Sequence, residues 1–343
     1  MTGVSILWAL RSPCNLGCRY CYFGTIEEHR QDMPAQPGKL SHLARTDLDL
    51  AAIAAFVQTL PGSRVERIFL AGGEPLIWPP IMDVISEIKA AGVQVVLCTN
   101  GIPLNRPEVV EAILETGVDA VSVSLDSADP VYNDRWRPAR NGTHGHRDVV
   151  AGIQALITAR SADRMPRVGI YSVITRQNIG AVTETAALAA RLGCDYFVPQ
   201  PIALDSEHAL HQQLALTPSA AIELAAELER LYAAAPLQLP TPDYPDRVID
   251  AITAERPSFV RGCFGGTDLF FIEPDGSVWD CPSSLKIHAS AESGAHRSIR
   301  GADASTLFGP GGACADCRLF SPDCVNMWPL MGFAQFLPSG VPS

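Results

Sequence analysis

"VSILWALRSPCNLGCRYCYFG", residues Val4–Gly24, decides the fold: a largely apolar run leads straight into three cysteines, Cys14, Cys18 and Cys21. Val4–Leu10 has the length and the bulky, β-branched content of a strand covered on both faces, as strands of parallel sheets are. Five further runs of this kind follow, at Arg67–Leu70, Gln94–Cys98, Ala120–Ser124, Arg167–Val173 and Tyr196–Gln200. Between them, "DLAAIAAFVQTL", "IMDVISEIKAAG", "RPEVVEAILETG", "HRDVVAGIQALITA" and "IGAVTETAALAARLG" place apolar residues at helical spacing, and several close on a C-capping Gly. Parallel strands need crossover helices, so six βα units predict an α/β fold with a parallel sheet, either open and doubly wound or curled into a barrel. In both, sites form at the C-terminal strand ends, which is where the three cysteines fall.

The 343-residue chain has room for a barrel and a smaller appendage. A net charge of -11 argues against a phosphate-backbone partner, so neither DNA nor RNA is expected. "VSILWAL" lacks the basic flank and cleavage site of a signal peptide, and no run reaches the ~18 apolar residues of a membrane span. The protein reads as soluble and cytoplasmic, without a membrane partner. Ten cysteines in a chain of this size point to metal binding or catalysis rather than to a disulfide framework. The domain reading is a barrel over 1–200, a helical linker over 201–257 and a cysteine-rich region over 258–343. In the linker, Thr217 is the expected N-cap and Pro218 the first residue of the helix in "TPSAAIELAAELERLYAAA". The last region is loop-rich and would fold poorly alone, a lack that a metal staple would offset.

Cys14, Cys18 and Cys21 are spaced C-x3-C-x2-C, with Gly17 letting the chain curl between them. Three readings compete. A structural zinc site needs a fourth ligand, such as His29. Ordinary packing or reactive thiols are the second reading. An iron-sulfur cluster on three cysteines leaves one iron open to a substrate or cofactor, which accounts for the number three.

"CNLGCRYC" resembles the signature of the radical S-adenosylmethionine (SAM) enzymes, with Tyr20 at its aromatic position. "AGGEPL" is similar to the family's GGEP loop through Gly72, Gly73, Glu74 and Pro75. "CTNG" follows the third strand. "VSLDS" offers Ser124 and Asp126 as the polar pair near the SAM ribose and carboxylate, although both could merely cap a helix. "DPVYNDRWRP" resembles the family's hD-x-x-R element through Asp134 and Arg137, and "VITRQN" carries Asn178. The resemblance covers roughly residues 4–200 and implies a partial (β/α)6 TIM-like barrel. It also implies a 4Fe-4S cluster on the three cysteines and SAM chelated to the open iron. The GGEP loop would help hold the methionine amine and Arg137 the SAM carboxylate. Reductive cleavage of SAM would then give a 5'-deoxyadenosyl radical that abstracts a substrate hydrogen atom.

Further on, "EPDGSV" reads as a hairpin turn that brings Cys263 and Cys281 together, and "CADCRLFSPDC" adds Cys314, Cys317 and Cys324. This order is similar to the SPASM and twitch extensions of the same superfamily. The resemblance implies one auxiliary 4Fe-4S cluster on Cys263, Cys281, Cys314 and Cys317, with Cys324 an alternate ligand, a hydrogen-atom donor or a bystander. Zinc on two cysteine pairs is the competing reading. Cys98 and Cys194 read as packing residues, His144 and His146 as loop histidines or an acid/base pair, and Trp78 and Trp136 as pocket-lining or capping residues. The expected substrate is a ribosomally made peptide, modified oxidatively by a crosslink or related bond. A flavodoxin- or ferredoxin-type protein would donate the electron. Only thirteen residues precede Cys14, so a separate leader-peptide-binding protein is expected. Oxidation or epimerisation of a small natural-product intermediate, such as an aminoglycoside, is the alternative. An iron-sulfur or zinc protein without SAM chemistry is the third reading.

Overall fold

Strand β1 (Val4–Arg11) is buried along all but its last residue because both of its neighbours in the sheet are parallel strands. The computed structural model describes residues 3–24, 47–140, 142, 145–161, 163–204, 206–254, 263–282, 297–309 and 322–338. Strands β2 (Val65–Gly72), β3 (Gln94–Thr99), β4 (Ala120–Ser124), β5 (Arg167–Ile174) and β6 (Tyr196–Pro201) continue from β1 with every pairing parallel. Each begins within two residues of its expected start. Helices α1 (Leu50–Val57), α2 (Ile81–Ala90), α3 (Pro107–Glu115), α4 (Pro130–Trp136), α5 (His146–Ala159) and α6 (Val182–Leu192) form the crossovers. Gly193, left-handed at φ 89°, closes α6, a backbone conformation that carries no steric penalty for glycine.

On the other edge of β1, β7 (Leu269–Ile272) adds a further parallel strand, followed by antiparallel β8 (Ser277–Trp279) and β9 (Arg297–Ser298). The β7–β8 turn is the expected one: Gly276 at φ 90° donates its N–H to Glu273 O (2.9 Å), and Asp275 Oδ1 accepts from Ser277 N (2.8 Å). After β6 come a single helical turn at His211–Leu214 and two longer helices, α7 (Ala221–Ala234) and α8 (Tyr244–Thr253). Thr217 differs from expectation. Its hydroxyl pairs with Ser219 Oγ (2.8 Å) instead of capping, and Pro218–Ala220 forms a 3-10 turn before α7 begins. A short polar side chain has several local partners, and here the neighbouring hydroxyl wins.

Alternation along β1 divides the core. Ile6, Trp8 and Leu10 face the outer helices, while Leu7 and Ala9 face the interior with Phe69, Val96, Ala120, Val198 and Phe271. Interior residues from β6 and β7, near opposite ends of the sheet, belong to one cluster, so the sheet is curled. The C-terminal segment fills one end of the hollow. Helix α9 (Pro322–Met331) supplies Met327 and Leu330, and the following turn supplies Phe333 and Phe336. Phe333 sits edge-on to Phe69 (5.1 Å), and Phe336 stacks on Tyr196 (4.8 Å). Each fully buried Phe contributes roughly 1.5–3 kcal/mol. Among the described residues no helix is long and apolar enough to cross a membrane.

Candidate active site

The cysteine loop leaves the end of β1 and is clamped by the chain after α4. Gly17 N donates to Pro138 O (2.8 Å), Arg19 N to Trp136 O (2.9 Å) and Arg140 N to Asn15 O (3.0 Å), while Arg140 Nε reaches Leu16 O (3.2 Å). Cys14 Sγ accepts from Leu16 N at 3.4 Å, and Asn100 Nδ2, 3.7 Å from that sulfur, bonds Asn15 Oδ1 at 2.6 Å. Asn15, Asn100 and Arg140 thus hold the loop, a role with no spacing signal in the sequence because the partners lie up to 124 positions apart.

The paired glycines have a reason the motif alone does not give. A Cβ on Gly73 would stand 2.0 Å from Pro13 O, and one on Gly72, at φ 117°, would stand 2.5 Å from Arg11 O. The close approach that demands glycine is to the backbone of the cysteine loop itself. Gly73→Ala should therefore displace the segment presenting Cys14. We expect about 1–3 kcal/mol lower stability in urea unfolding and less iron in the purified protein.

Glu74 is buried and fully engaged: Oε1 accepts from Leu76 N (3.1 Å) and Thr99 Oγ1 (2.8 Å), and Oε2 from Asn100 N (2.7 Å). Burial pushes its carboxyl up to about 7, against the pull of those hydrogen bonds and of Arg137. Its bonds tie the loop after β2 to the loop after β3. Asp126, also buried, accepts from Tyr20 OH (2.7 Å), Arg137 Nη1 (3.1 Å) and Val173 N (2.9 Å). Burial alone would weaken the Arg137 cation, but Cys18, Asp126 and Tyr20 outweigh it and hold the guanidinium protonated. Asp126→Asn leaves a buried cation without its partner, so we expect a cost of about 3–5 kcal/mol in urea unfolding of the cluster-free protein. Tyr20→Phe removes one neutral donor and should cost about 1 kcal/mol.

These groups surround one cavity of about 250 Å³ inside the curled sheet, at the C-terminal strand ends. Cys14, Cys18, Cys21, Tyr20, Ser124 and Arg137 line it, together with Gly72 and Gly73; Glu74, Pro75 and Asp126 do not, although Glu74 bonds the lining residues Thr99 and Asn100, and Asp126 bonds Tyr20 and Arg137. Burial raises all three thiols above their ordinary range, Cys18 to about 11 with Arg137 pulling the other way. Three partly or fully buried thiols lining a single cavity beside a cation form a donor set that fits a cationic iron cluster. Among the described residues no three His, Cys, Asp or Glu side chains are placed to hold a single metal ion. A cluster whose cysteines each take a different iron asks for no such convergence.

Of the remaining expected residues, Asn178 spends its amide on Thr175 N (2.6 Å), Asp126 O (2.8 Å) and Val173 O (3.0 Å), bracing the end of β5. Asp134 accepts from His146 N (2.6 Å) at the start of α5, while His144 lies outside the described residues. Trp136 is buried against Tyr20, and Trp78 lies under Arg11; neither lines the cavity. Cys98 does line it, and Cys194 packs in the outer core. Cys263 Sγ and Cys281 Cβ both lie within 4 Å of where a Cβ on Gly265 would be, so the hairpin brings these two cysteines together. The Tyr22 phenol, beside Cys21 in sequence, is pushed up by burial, with Asp323 and the Cys281 and Cys324 thiols acting in the same direction. Cys314 and Cys317 lie outside the described residues.

A curled parallel sheet with three cysteines at the end of its first strand defines the class, and the comparisons agree. Residues 13–189 match the radical SAM superfamily, and the chain belongs to it. It is 27% identical over 290 residues to an AdoMet-dependent heme synthase of Methanosarcina barkeri, spanning 80% of this chain and 76% of that protein. It is 26% identical over 286 residues to the mycofactocin maturase MftC of Mycobacterium ulcerans, spanning 82% and 69%. Among solved structures, anSMEcpe with bound AdoMet shares the fold at a TM-score of 0.63 and 16% identity, over 90% of this chain and 81% of that one. Streptococcus suis SuiB bound to S-adenosylmethionine does so at 0.63 and 13%, over 90% and 66%. The family implies a 4Fe-4S cluster and SAM.

Proposed function

We propose that Cys14, Cys18 and Cys21 hold the 4Fe-4S cluster, and that the protein oxidatively modifies a ribosomally made peptide, forming a crosslink or related bond. The observation that carries this reading is the shared cavity, where three thiols, the Gly72–Gly73 backbone, Ser124 and Arg137 meet. When bound, the cluster and SAM supply one-electron cleavage of a C–S bond and a 5'-deoxyadenosyl radical able to take hydrogen from an unactivated C–H group. The chain supplies position and shelter. Gly72 and Gly73 present backbone to the methionine end, with Glu74 and Pro75 bracing them from behind. Arg137, oriented by Asp126 and Tyr20, has guanidinium N–H groups left for the SAM carboxylate. The apolar C-terminal plug keeps water from the closed end.

The peptide assignment is supported by the maturase relative and by a solved SuiB complex with its precursor peptide SuiA, which shares the fold at a TM-score of 0.59. Cys263 and Cys281, with Cys314, Cys317 and Cys324, would form a SPASM/twitch-like auxiliary site that takes the electron left after hydrogen abstraction. Residues 1–200, 201–257 and 258–343 would then be barrel, linker and auxiliary region. A flavodoxin- or ferredoxin-type donor and a separate leader-binding protein complete the system. The heme synthase relative supports a second reading, a small-molecule substrate.

Anaerobic reconstitution with iron and sulfide, followed by dithionite and SAM, tests the core of the proposal. 5'-Deoxyadenosine by liquid chromatography supports it; zinc on elemental analysis with no deoxyadenosine refutes it. A short precursor-peptide reading frame beside the gene, and a two-hydrogen mass loss from that peptide, would support the peptide reading. Conversion of a small molecule alone would reject it.

A further inference from the structure

The cavity has two unlike walls. Leu7, Phe69 and Ala71 from β1 and β2 make one side apolar. The opposite side is uncharged but polar: Ser124 on β4, Tyr171 on β5 and Gln200 on β6. Ser124 is in register with Tyr171, and Gln200 with Val173, so these side chains stand on adjoining strands at the C-terminal end of the sheet. Gln200 follows Val198 at the two-residue spacing that turns side chains to the interior, and it is half-buried there. Its carboxamide has no hydrogen-bond partner among the described residues. Asn326 from α9 lines the same cavity at 7% exposure. Its Nδ2 donates to Pro201 O (2.9 Å), and its Oδ1 has no partner.

Among the described lining residues Arg137 is the one cation, and it is paired with Asp126 at 3.1 Å. A substrate rich in carboxylates would enter without counter-charges, which is costly in a buried site. An unpartnered carboxamide instead offers one acceptor and two donors in a plane, and its neutral complement is another amide. We propose that Gln200 is the specificity-determining residue of the cavity, pairing its carboxamide with a peptide amide of the substrate while Asn326 Oδ1 accepts a second N–H. This rests on the peptide reading above and names the group that reading requires the barrel to hold.

The test uses the full chain, cluster-loaded and with SAM but no reductant, under anaerobic conditions. Its probes are N-acetyl-L-phenylalaninamide and methyl 3-phenylpropanoate, an ester that keeps the phenyl group and has no amide. Saturation-transfer-difference NMR gives both dissociation constants. The amide should bind about tenfold more tightly than the ester, as one to two neutral hydrogen bonds allow. Gln200→Leu should bring that ratio to about one by weakening the amide alone, and retained ester binding reports an intact cavity. Gln200→Met, which keeps the length and loses both donor and acceptor, should collapse the ratio as well and decides the matter if the leucine variant binds neither probe. Equal binding of the two probes by the unaltered protein overturns the proposal, as does a ratio that survives both substitutions. Displacement of the amide by phenylsuccinate, a dicarboxylate of similar size, at lower concentration also overturns it. The two readings fail separately. Amide preference without modification of any peptide leaves the Gln200 site standing and rejects peptide maturation. A modified peptide whose KM ignores Gln200→Leu does the reverse.

Discussion

Cys14→Ala, Cys18→Ala and Cys21→Ala should each remove 5'-deoxyadenosine formation from the reconstituted enzyme and lower its iron by about four per chain, one cluster's worth. The size of the loss follows from what a thiolate does there. Each sulfur would hold a different iron, so no neighbour would substitute for it, and the loss should exceed the ~10–100-fold that outer partners of a metal site are worth. Asn100→Ala is the graded comparison. Asn100 Nδ2 lies 3.7 Å from Cys14 Sγ and bonds Asn15 Oδ1 at 2.6 Å, so its removal loosens the loop without taking a ligand away. It should fall within that ~10–100-fold range. Quantifying deoxyadenosine together with iron separates the two cases. If an alanine variant of the triad keeps both, the cluster assignment is wrong; if Asn100→Ala loses as much as the triad, the loop geometry matters more than the ligand count.

The parallel strands are legible in the sequence because each is covered on both faces and reads as a short apolar run between helical periods. The cysteine signature is legible because its meaning lies in close spacing. What stays hidden depends on contacts between distant positions. Tyr20 and Asp126 are 106 residues apart, yet their 2.7 Å bond explains why both belong beside Arg137. The motif singles out Glu74 but gives no sign of its three hydrogen bonds, which tie two strand-end loops together. Periodicity says as little about the last region. Leu269–Ile272 is too short to announce itself, but Ser5–Trp8 offers it a parallel edge, and Phe333 and Phe336 gain their places only once the sheet has curled around them. Gln200 shows no pattern at all. Its interest is that a half-buried polar side chain lining the cavity has no partner among the described residues.

The cysteines of the hairpin call for a different outcome from the triad. Cys263 and Cys281 are brought together at Gly265 by a turn whose backbone is fully bonded, with Gly266 N donating to Asp280 O at 2.9 Å and to Leu269 O at 3.0 Å. They do not line the cavity, so replacing them leaves the SAM-binding wall in place. Cys263→Ala and Cys281→Ala should therefore retain uncoupled SAM cleavage, within about tenfold of the parent, given that outer changes at metal sites cost ~10–100-fold. They should stop formation of the oxidised product, because the electron left after hydrogen abstraction loses its acceptor. Iron should drop from about eight to about four per chain, the difference of one cluster. A parent protein already at four would remove the auxiliary site from the scheme, and so would variants that still make product. Variants that lose cleavage as completely as Cys14→Ala would show that the two cysteine groups serve one centre. Tyr22 bears on this, since it lines the cavity and its phenol feels the Cys281 and Cys324 thiols. The wall of the cavity next to the triad is therefore also the wall next to the hairpin cysteines, and it would give an electron leaving the substrate a short path to an auxiliary site.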